Sequence, residues 1–176
     1  MQITTLFRLT PVEYIERFNT LSISRPERCS LCGAYHSFYA HGSYWRNILT
    51  DEFEERIPIA RFYCKVCKTT ASLLPSFVLP YFQYSLEFIL AALRLIFLSA
   101  ENYFNKLAAL FRFYKRRFTN NLTLLEMFFR NQGWSDPSPP DKKEKTIKMV
   151  CMLTVPTAET LSQRFHQHNK RNFMAK

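Results

Sequence analysis

Apolar positions along the chain change period twice. Thr10-Pro11-Val12-Glu13 is a helix start, with Thr at the cap, Pro at the first helical position and Glu in the first turn. Val12, Ile15 and Phe18 then recur at helical spacing to about Asn19. Leu21 to Arg28 reads as extended. From Tyr35 to Ile48 the period drops toward that of a strand, rich in rings (Tyr35, Phe38, Tyr39, Tyr44, Trp45) and interrupted by Gly42, as at a bulge or tight bend. Thr50-Asp51-Glu52 predicts a turn. Ile57, Ile59, Arg61 and Tyr63 then alternate against Pro58, Ala60 and Phe62, which predicts a second strand. Pro58 has no N–H for a ladder, so the strand should be at an edge there. A third short strand is expected at Thr69 to Leu74.

Helical spacing returns after Leu73-Leu74-Pro75-Ser76-Phe77-Val78-Leu79-Pro80, a stretch with two prolines where a domain boundary is placed. Ser85 with Glu87 opens a helix through Leu86, Ile89, Leu90, Leu93, Ile96 and Phe97. A second helix is expected through Tyr103, Phe104, Leu107, Leu110, Phe111, Tyr114 and Phe118, broken at Thr119-Asn120-Asn121. Thr123-Leu124-Leu125-Glu126 resembles a capping box, with a continuous helix from Asn121 as the alternative. Gly133 is placed at the helix-closing position. Ser135 to Asp141 is a proline-rich linker, and Lys142 to Lys148 continues it as a charged segment. The remaining tail is weakly patterned, with a short helix over 157–168. The organisation is therefore α+β. Residues 1–80 carry an N-terminal helix and a small β domain. Residues 81–133 carry a short helical bundle, and 134–176 form a linker and a basic, partly disordered tail.

Two Cys-x-x-Cys pairs sharpen the β domain: Cys29-Ser30-Leu31-Cys32, followed by Gly33, and Cys64-Lys65-Val66-Cys67, followed by Lys68. Such a turn puts two sulfurs on one side of an ion, and the residue behind it needs an unusual backbone angle that glycine adopts freely. The 31 residues between Cys32 and Cys64 suffice for a hairpin that returns the second pair to the first. Four soft thiolates in a tetrahedron favour Zn2+, with iron as the competing ion. A thioredoxin-like redox pair would need a strand before and a helix after, and no second copy. Cys29, Cys32, Cys64 and Cys67 are thus the expected ligands of a closed, structural four-cysteine zinc ribbon. His36 and His41 lie near the first pair but are read as strand residues or phosphate contacts. Cys151, His166 and His168 have no ligand spacing that holds.

The 176-residue chain has 24 Lys+Arg against 14 Asp+Glu and a net charge of +10. The excess is +2 over residues 1–80, +4 over 81–130 and +4 over 131–176. A basic balance of this size suits nucleic acid or an anionic membrane surface. The five cysteines, paired in pattern and without a secretory leader, suit a reducing cytoplasm. The most apolar run, Ser85 to Ala100, is too short to span a bilayer and is broken by Glu87 and Arg94; no membrane partner is expected.

Cys29-x-x-Cys32-Gly33, His41-Gly42-Ser43-Tyr44-x-Arg46, Arg61-Phe62-x-Cys64-x-x-Cys67-Lys68-Thr69-Thr70 and Ser72-Leu73-Leu74-Pro75-x-Phe77-x-Leu79-Pro80-Tyr81 form one string. It resembles a bacterial zinc-ribbon family of unknown function found in proteins associated with mobile elements. More loosely, it resembles the zinc-binding N-terminal regions of insertion-sequence transposases. The similarity spans about residues 25 to 85. It implies metal-ligand roles for the four cysteines and DNA binding through a helix-turn-helix after the ribbon. This chain lacks a small-residue turn before a Ser/Thr-capped second helix, so the helical part reads as a degenerate form of that fold.

Arg112, Lys115 and Arg116 share one helical face, with Arg117 at its margin, and suit phosphate contact. Arg46, Arg61, Lys65 and Lys68 make a second basic set on the ribbon. Tyr39, Tyr44 and Trp45 are candidates for stacking on bases, with ribbon core the expected role of at least two of them. Nothing matches an enzyme: no α/β alternation for a three-carboxylate nuclease, no phosphate loop and no nucleophile–base pair in context. The expected function is nucleic-acid binding by a transposase-like DNA-recognition module without a catalytic part, with RNA as a second ligand. The alternative is a protein-interaction adaptor with a purely structural zinc, its partner another protein or a second copy.

Overall fold

A computed structural model of the chain describes residues 1–50, 54–99, 107–155 and 157–176. Asp51 and Glu52 of the expected turn, and Tyr103 and Phe104 of the expected second helix, lie outside the described residues. The chain divides into two compact units, Met1–Ser85 and Leu86–Lys176.

The first unit holds strand β1 (Gln2–Thr5), helix α1 (Pro11–Arg17) and strands β2 (Phe38–Leu49), β3 (Glu54–Cys64) and β4 (Thr70–Pro75). Helix α1 begins as its sequence predicts. Thr10 accepts from the Glu13 N–H while the Glu13 carboxylate accepts from the Thr10 N–H, and Pro11 stands where no N–H is needed. The sheet order is β1-β4-β3-β2. β3 pairs antiparallel with β2 along its length, from Phe38 opposite Cys64 to Leu49 opposite Glu54. It pairs with β4 only from Ala60 to Tyr63. Pro58 therefore lies where β3 has one neighbour, as its missing N–H requires. On the open side the Pro58 carbonyl accepts from the Tyr14 hydroxyl at 3.0 Å, which ties α1 to the strand. The register slips between Ala40 and Ser43, with Gly42 at φ +72°: the bulge expected at that glycine.

Strand alternation sorts two clusters onto opposite sheet faces. Ile57, Ile59 and Leu74 pack with Tyr14, Ile48, Phe77 and Val78. Ala60, Phe62, Ala71 and Leu73 pack with Phe38, Cys29 and Cys64. Two of the cysteines thus belong to the second core as well as to the sulfur site. β1, parallel to β4 with Ile3 opposite Leu73, is not predicted by the pattern. Four residues are too few to show a period, although Ile3, Thr4 and Thr5 are all β-branched.

The second unit contains α2 (Leu86–Leu98), α3 (Ala108–Asn120), α4 (Leu122–Asn131), α5 (Lys142–Leu153) and α6 (Ala158–Asn169). α2 buries Leu86, Ile89, Leu90 and Leu93, and α3 buries Tyr114 and Phe118, each at helical spacing. The capping box at Thr123–Glu126 does not form, because the helix already runs from Leu122. α4 ends in a Schellman motif: Trp134 N–H bonds to Phe129 O, Gly133 N–H to Arg130 O, and Gly133 sits at φ +89°. The Trp134 ring packs on Phe129, supplying the apolar contact that accompanies this motif.

The partly disordered tail expected beyond residue 134 is corrected. Asp141 caps α5 by accepting from the Glu144 N–H at 2.9 Å. Met149, Val150 and Leu153 of α5, Phe165 of α6, and Phe173 and Met174 beyond it are all buried. Buried Asn121 fastens the end of the chain. Its amide donates to Arg117 O and Ala175 O, and its oxygen accepts from Arg171. Among the described residues no helix is long and apolar enough to cross a membrane.

Candidate metal centre

The two Cys-x-x-Cys turns are near copies of each other. Cys29 N–H bonds to Ala34 O at 2.9 Å, and Cys64 N–H bonds to Thr69 O at 2.9 Å. Gly33 N–H returns to Cys29 O at 2.8 Å, and Lys68 N–H returns to Cys64 O at 2.9 Å. Both turns need a residue at positive φ. Gly33 supplies +75° without strain, and Lys68 is held at +60°. The first turn is closed by the antiparallel bridge Arg28–Tyr35, the second by the β3–β4 hairpin.

Folding brings the two turns face to face. Cys29 Sγ lies 3.7 Å from Cys67 Sγ, and Cys32 Sγ lies 3.8 Å from Cys64 Sγ. All four sulfurs fall within 4.8 Å of one another. Four sulfurs each about 2.3 Å from a zinc ion stand about 3.8 Å apart at the corners of a tetrahedron. The donor set therefore fits a metal ion with little rearrangement, and four protein ligands leave no open coordination position. Cys29 and Cys64 are buried, Cys67 is half-buried and Cys32 is exposed, so the site is open at one corner.

The surroundings favour thiolate at some corners and thiol at another. The backbone N–H of Cys67 and then the Ser37 hydroxyl, 3.2 Å from the sulfur, bring Cys64 down to about 6. The Thr69 hydroxyl, 2.8 Å away, is the main cause that lowers Cys67. For Cys32 the largest single influence, the Ala34 N–H, acts downward. Desolvation and the three other sulfurs together outweigh it and raise the thiol to about 11. Proton loss there must accompany metal uptake. Ser37 and Thr69 were not anticipated from sequence. A hydroxyl two residues after the last cysteine is a usable signal, whereas Ser37 reaches Cys64 only through the fold.

Among the described residues the four cysteines are the one group of three or more ligand-type side chains close enough to share an ion. His36 and His41 are exposed, and His41 packs against the Tyr63 ring. Cys151, His166 and His168 form no such group.

The cations expected to contact nucleic acid are distributed unevenly. Arg46 is committed to the protein: its guanidinium donates to Leu79 O at 2.9 Å and to Phe82 O, and burial lowers its pKa. Its buried Nη1 has no protein partner among the described residues. Arg61 is half-buried in β3 opposite Ser72. Lys65 and Lys68 are exposed on the second turn, with Lys65 Nζ 3.6 Å above the Tyr39 ring. On α3, Arg112, Lys115 and Arg116 are exposed together on one face, and Arg117 lies over Phe113 at the margin.

No curated protein and no solved structure matches the chain. Residues 29–112, from the first cysteine of the cluster to the first arginine of the α3 stripe, are similar to a family described as Domain of unknown function (DUF6431), a description that names no activity and bears on neither mobile elements nor transposases.

Proposed function

We propose that the protein is a zinc-ribbon nucleic-acid-binding module, a transposase-like DNA-recognition part that works by binding rather than catalysis. Zinc is the favoured ion because the thiolate tetrahedron matches its bond length and its preference for a closed structural shell. The observation that carries DNA binding is the α3 stripe. Arg112, Lys115 and Arg116 stand exposed at i, i+3 and i+4 while Tyr114 and Phe118 anchor the opposite face. Among the described residues none of the three is in an ion pair. Three unneutralised cations on an anchored helix form a geometry that phosphates complete.

The test is duplex-DNA binding by the zinc-loaded full chain across a salt series, beside the triple variant Arg112→Glu/Lys115→Glu/Arg116→Glu. Three phosphate contacts contribute about 2.7 to the log–log salt slope, which the variant should lose along with most of its affinity. Unchanged affinity removes α3 from the interface. No binding at low salt ends the DNA reading.

A second reading, a protein-interaction adaptor with a purely structural metal, has one specific observation in its favour. Leu31 and Val66, at equivalent positions of the two cysteine turns, are 66% and 63% exposed. Loss of a co-purifying partner on Leu31→Ser/Val66→Ser, with DNA affinity absent throughout, would select it.

A further inference from the structure

We propose that the cysteine-turn end of the ribbon is a separate nucleic-acid site that takes unpaired bases, stacking them on Tyr35 and Tyr39. This site is independent of the α3 reading. Arg28 and Tyr35 are directly opposed across the bridge that closes the first turn, which puts their side chains on one face. The Arg28 guanidinium lies 5.2 Å over the Tyr35 ring, and its Nε donates to Gly33 O. Tyr35 is still 63% exposed, so its second face is open to solvent. Tyr39 is 42% exposed and carries two cations, with Lys65 Nζ at 3.6 Å and Arg25 at 5.6 Å from its ring centroid.

These groups come from both cysteine turns. The sulfur cluster fixes one turn against the other and so holds the patch together. A ring backed by a cation is a platform for a base above and a phosphate beside it. The cations are not spent on the metal site. Among the described residues no lysine or arginine donates to a sulfur, where hydroxyls and backbone N–H groups serve instead. Glu27 is the single carboxylate within residues 25–39 and 63–69, against Arg25, Arg28, Lys65 and Lys68. Positive charge selects a polyanion. The exposed rings, Tyr35 above all, select one with free π-surfaces, which a duplex keeps stacked inside and an acidic peptide lacks.

The test uses the zinc-loaded full chain and an oligothymidylate of about 16 nucleotides, with duplex DNA and polyglutamate as comparators. Stacking on one ring is expected to be worth about 5- to 150-fold in affinity. Tyr35→Ala and Tyr39→Ala should each weaken oligothymidylate binding within that range, and Tyr35→Phe should restore it. Lys65→Ala should reduce the salt slope by about 0.7. All four variants should keep their zinc by native mass spectrometry, and the three tyrosine variants should bind duplex as the parent does, while the α3 triple variant keeps its oligothymidylate affinity. Oligothymidylate binding that is absent, indifferent to both tyrosine variants, lost with the α3 stripe, or matched by polyglutamate would overturn the site.

Discussion

Residues 1–85 and residues 86–176 are similar in length but are held together by different chemistry. The second unit is centred on rings. Phe128 packs edge-on against Phe129 and Phe165, Phe165 against Phe173, and Phe173 against Phe118, so that α3, α4, α6 and the chain end share one aromatic chain of contacts. The first unit has a ring cluster on one face of its sheet only, where Tyr14 meets Phe7, Phe18 and Phe77 edge-on, and divides its remaining apolar residues between the two faces of a thin sheet. Its sulfur end buries no aromatic besides Phe38 and Phe62 in the adjoining cluster. A domain this small buries a modest share of its surface and commonly relies on a cross-link or metal. The comparison teaches that metal dependence should be local to one half of the chain.

The largest effect that can break this contrast is metal removal. A structural zinc site contributes on the order of 10 kcal/mol to folding, comparable with the whole stability of an ordinary domain. Chelation, or Cys29→Ser, should abolish amide-exchange protection across β2, β3 and β4 while α2 to α6 stay protected. Loss of protection in both halves at once would show that they fold as one. Retained protection in the sheet would show that the two apolar clusters suffice without the ion.

The converse perturbation is smaller. Phe128 is buried against three rings, including that of His168 at 6.3 Å. Phe128→Ala should cost about 3–5 kcal/mol, lowering the denaturant midpoint of the helical half. Zinc stoichiometry, measured by native mass spectrometry, should stay at one per chain. A variant that also releases zinc would contradict the separation.

The same difference explains what was legible in the sequence. Cys-x-x-Cys turns are short and chemically distinctive, so the Cys29, Cys32, Cys64 and Cys67 set, the role of Gly33 and the matching place of Lys68 could be read directly. Gly42 and Pro58 were equally legible because each constrains the backbone by itself. The tail was legible only in part: the helix expected over 157–168 is α6 (Ala158–Asn169), but the packing of the tail was not legible. Val150, Phe165, Phe173 and Met174 are too far apart to show a period, and Lys142 to Lys148 hides the first turns of α5 behind charge. Arg46 was misread for a related reason. A cation in a sequence carries no sign of whether carbonyls such as Leu79 O and Phe82 O will enclose it.

Acid should separate the two halves with the smallest effect, because it acts through a few groups. In the ribbon, Cys64 and Cys67 lie below the ordinary thiol range. Without metal, their contribution is fully present above that range and declines as pH falls through about 6 for Cys64; because protons compete with the metal for the same sulfurs, metal binding also weakens on acidification. In the helical half, burial of His166 and then the neighbouring Lys170 lower the imidazole pKa. A base with a depressed pKa binds fewer protons folded than unfolded, so its contribution is whole above the ordinary histidine range and declines as pH falls below it. Both halves therefore weaken on acidification, but through different groups. His166→Gln should flatten the acid dependence of α5 and α6 protection and leave the pH of zinc release unmoved. Ser37→Ala removes a hydroxyl from the Cys64 sulfur, so it should shift zinc release to higher pH and leave the helices as they were. Amide exchange by residue, followed beside zinc content across the pH series, reads both. A variant in one half that moves the acid response of the other would end the claim that the two are independently held.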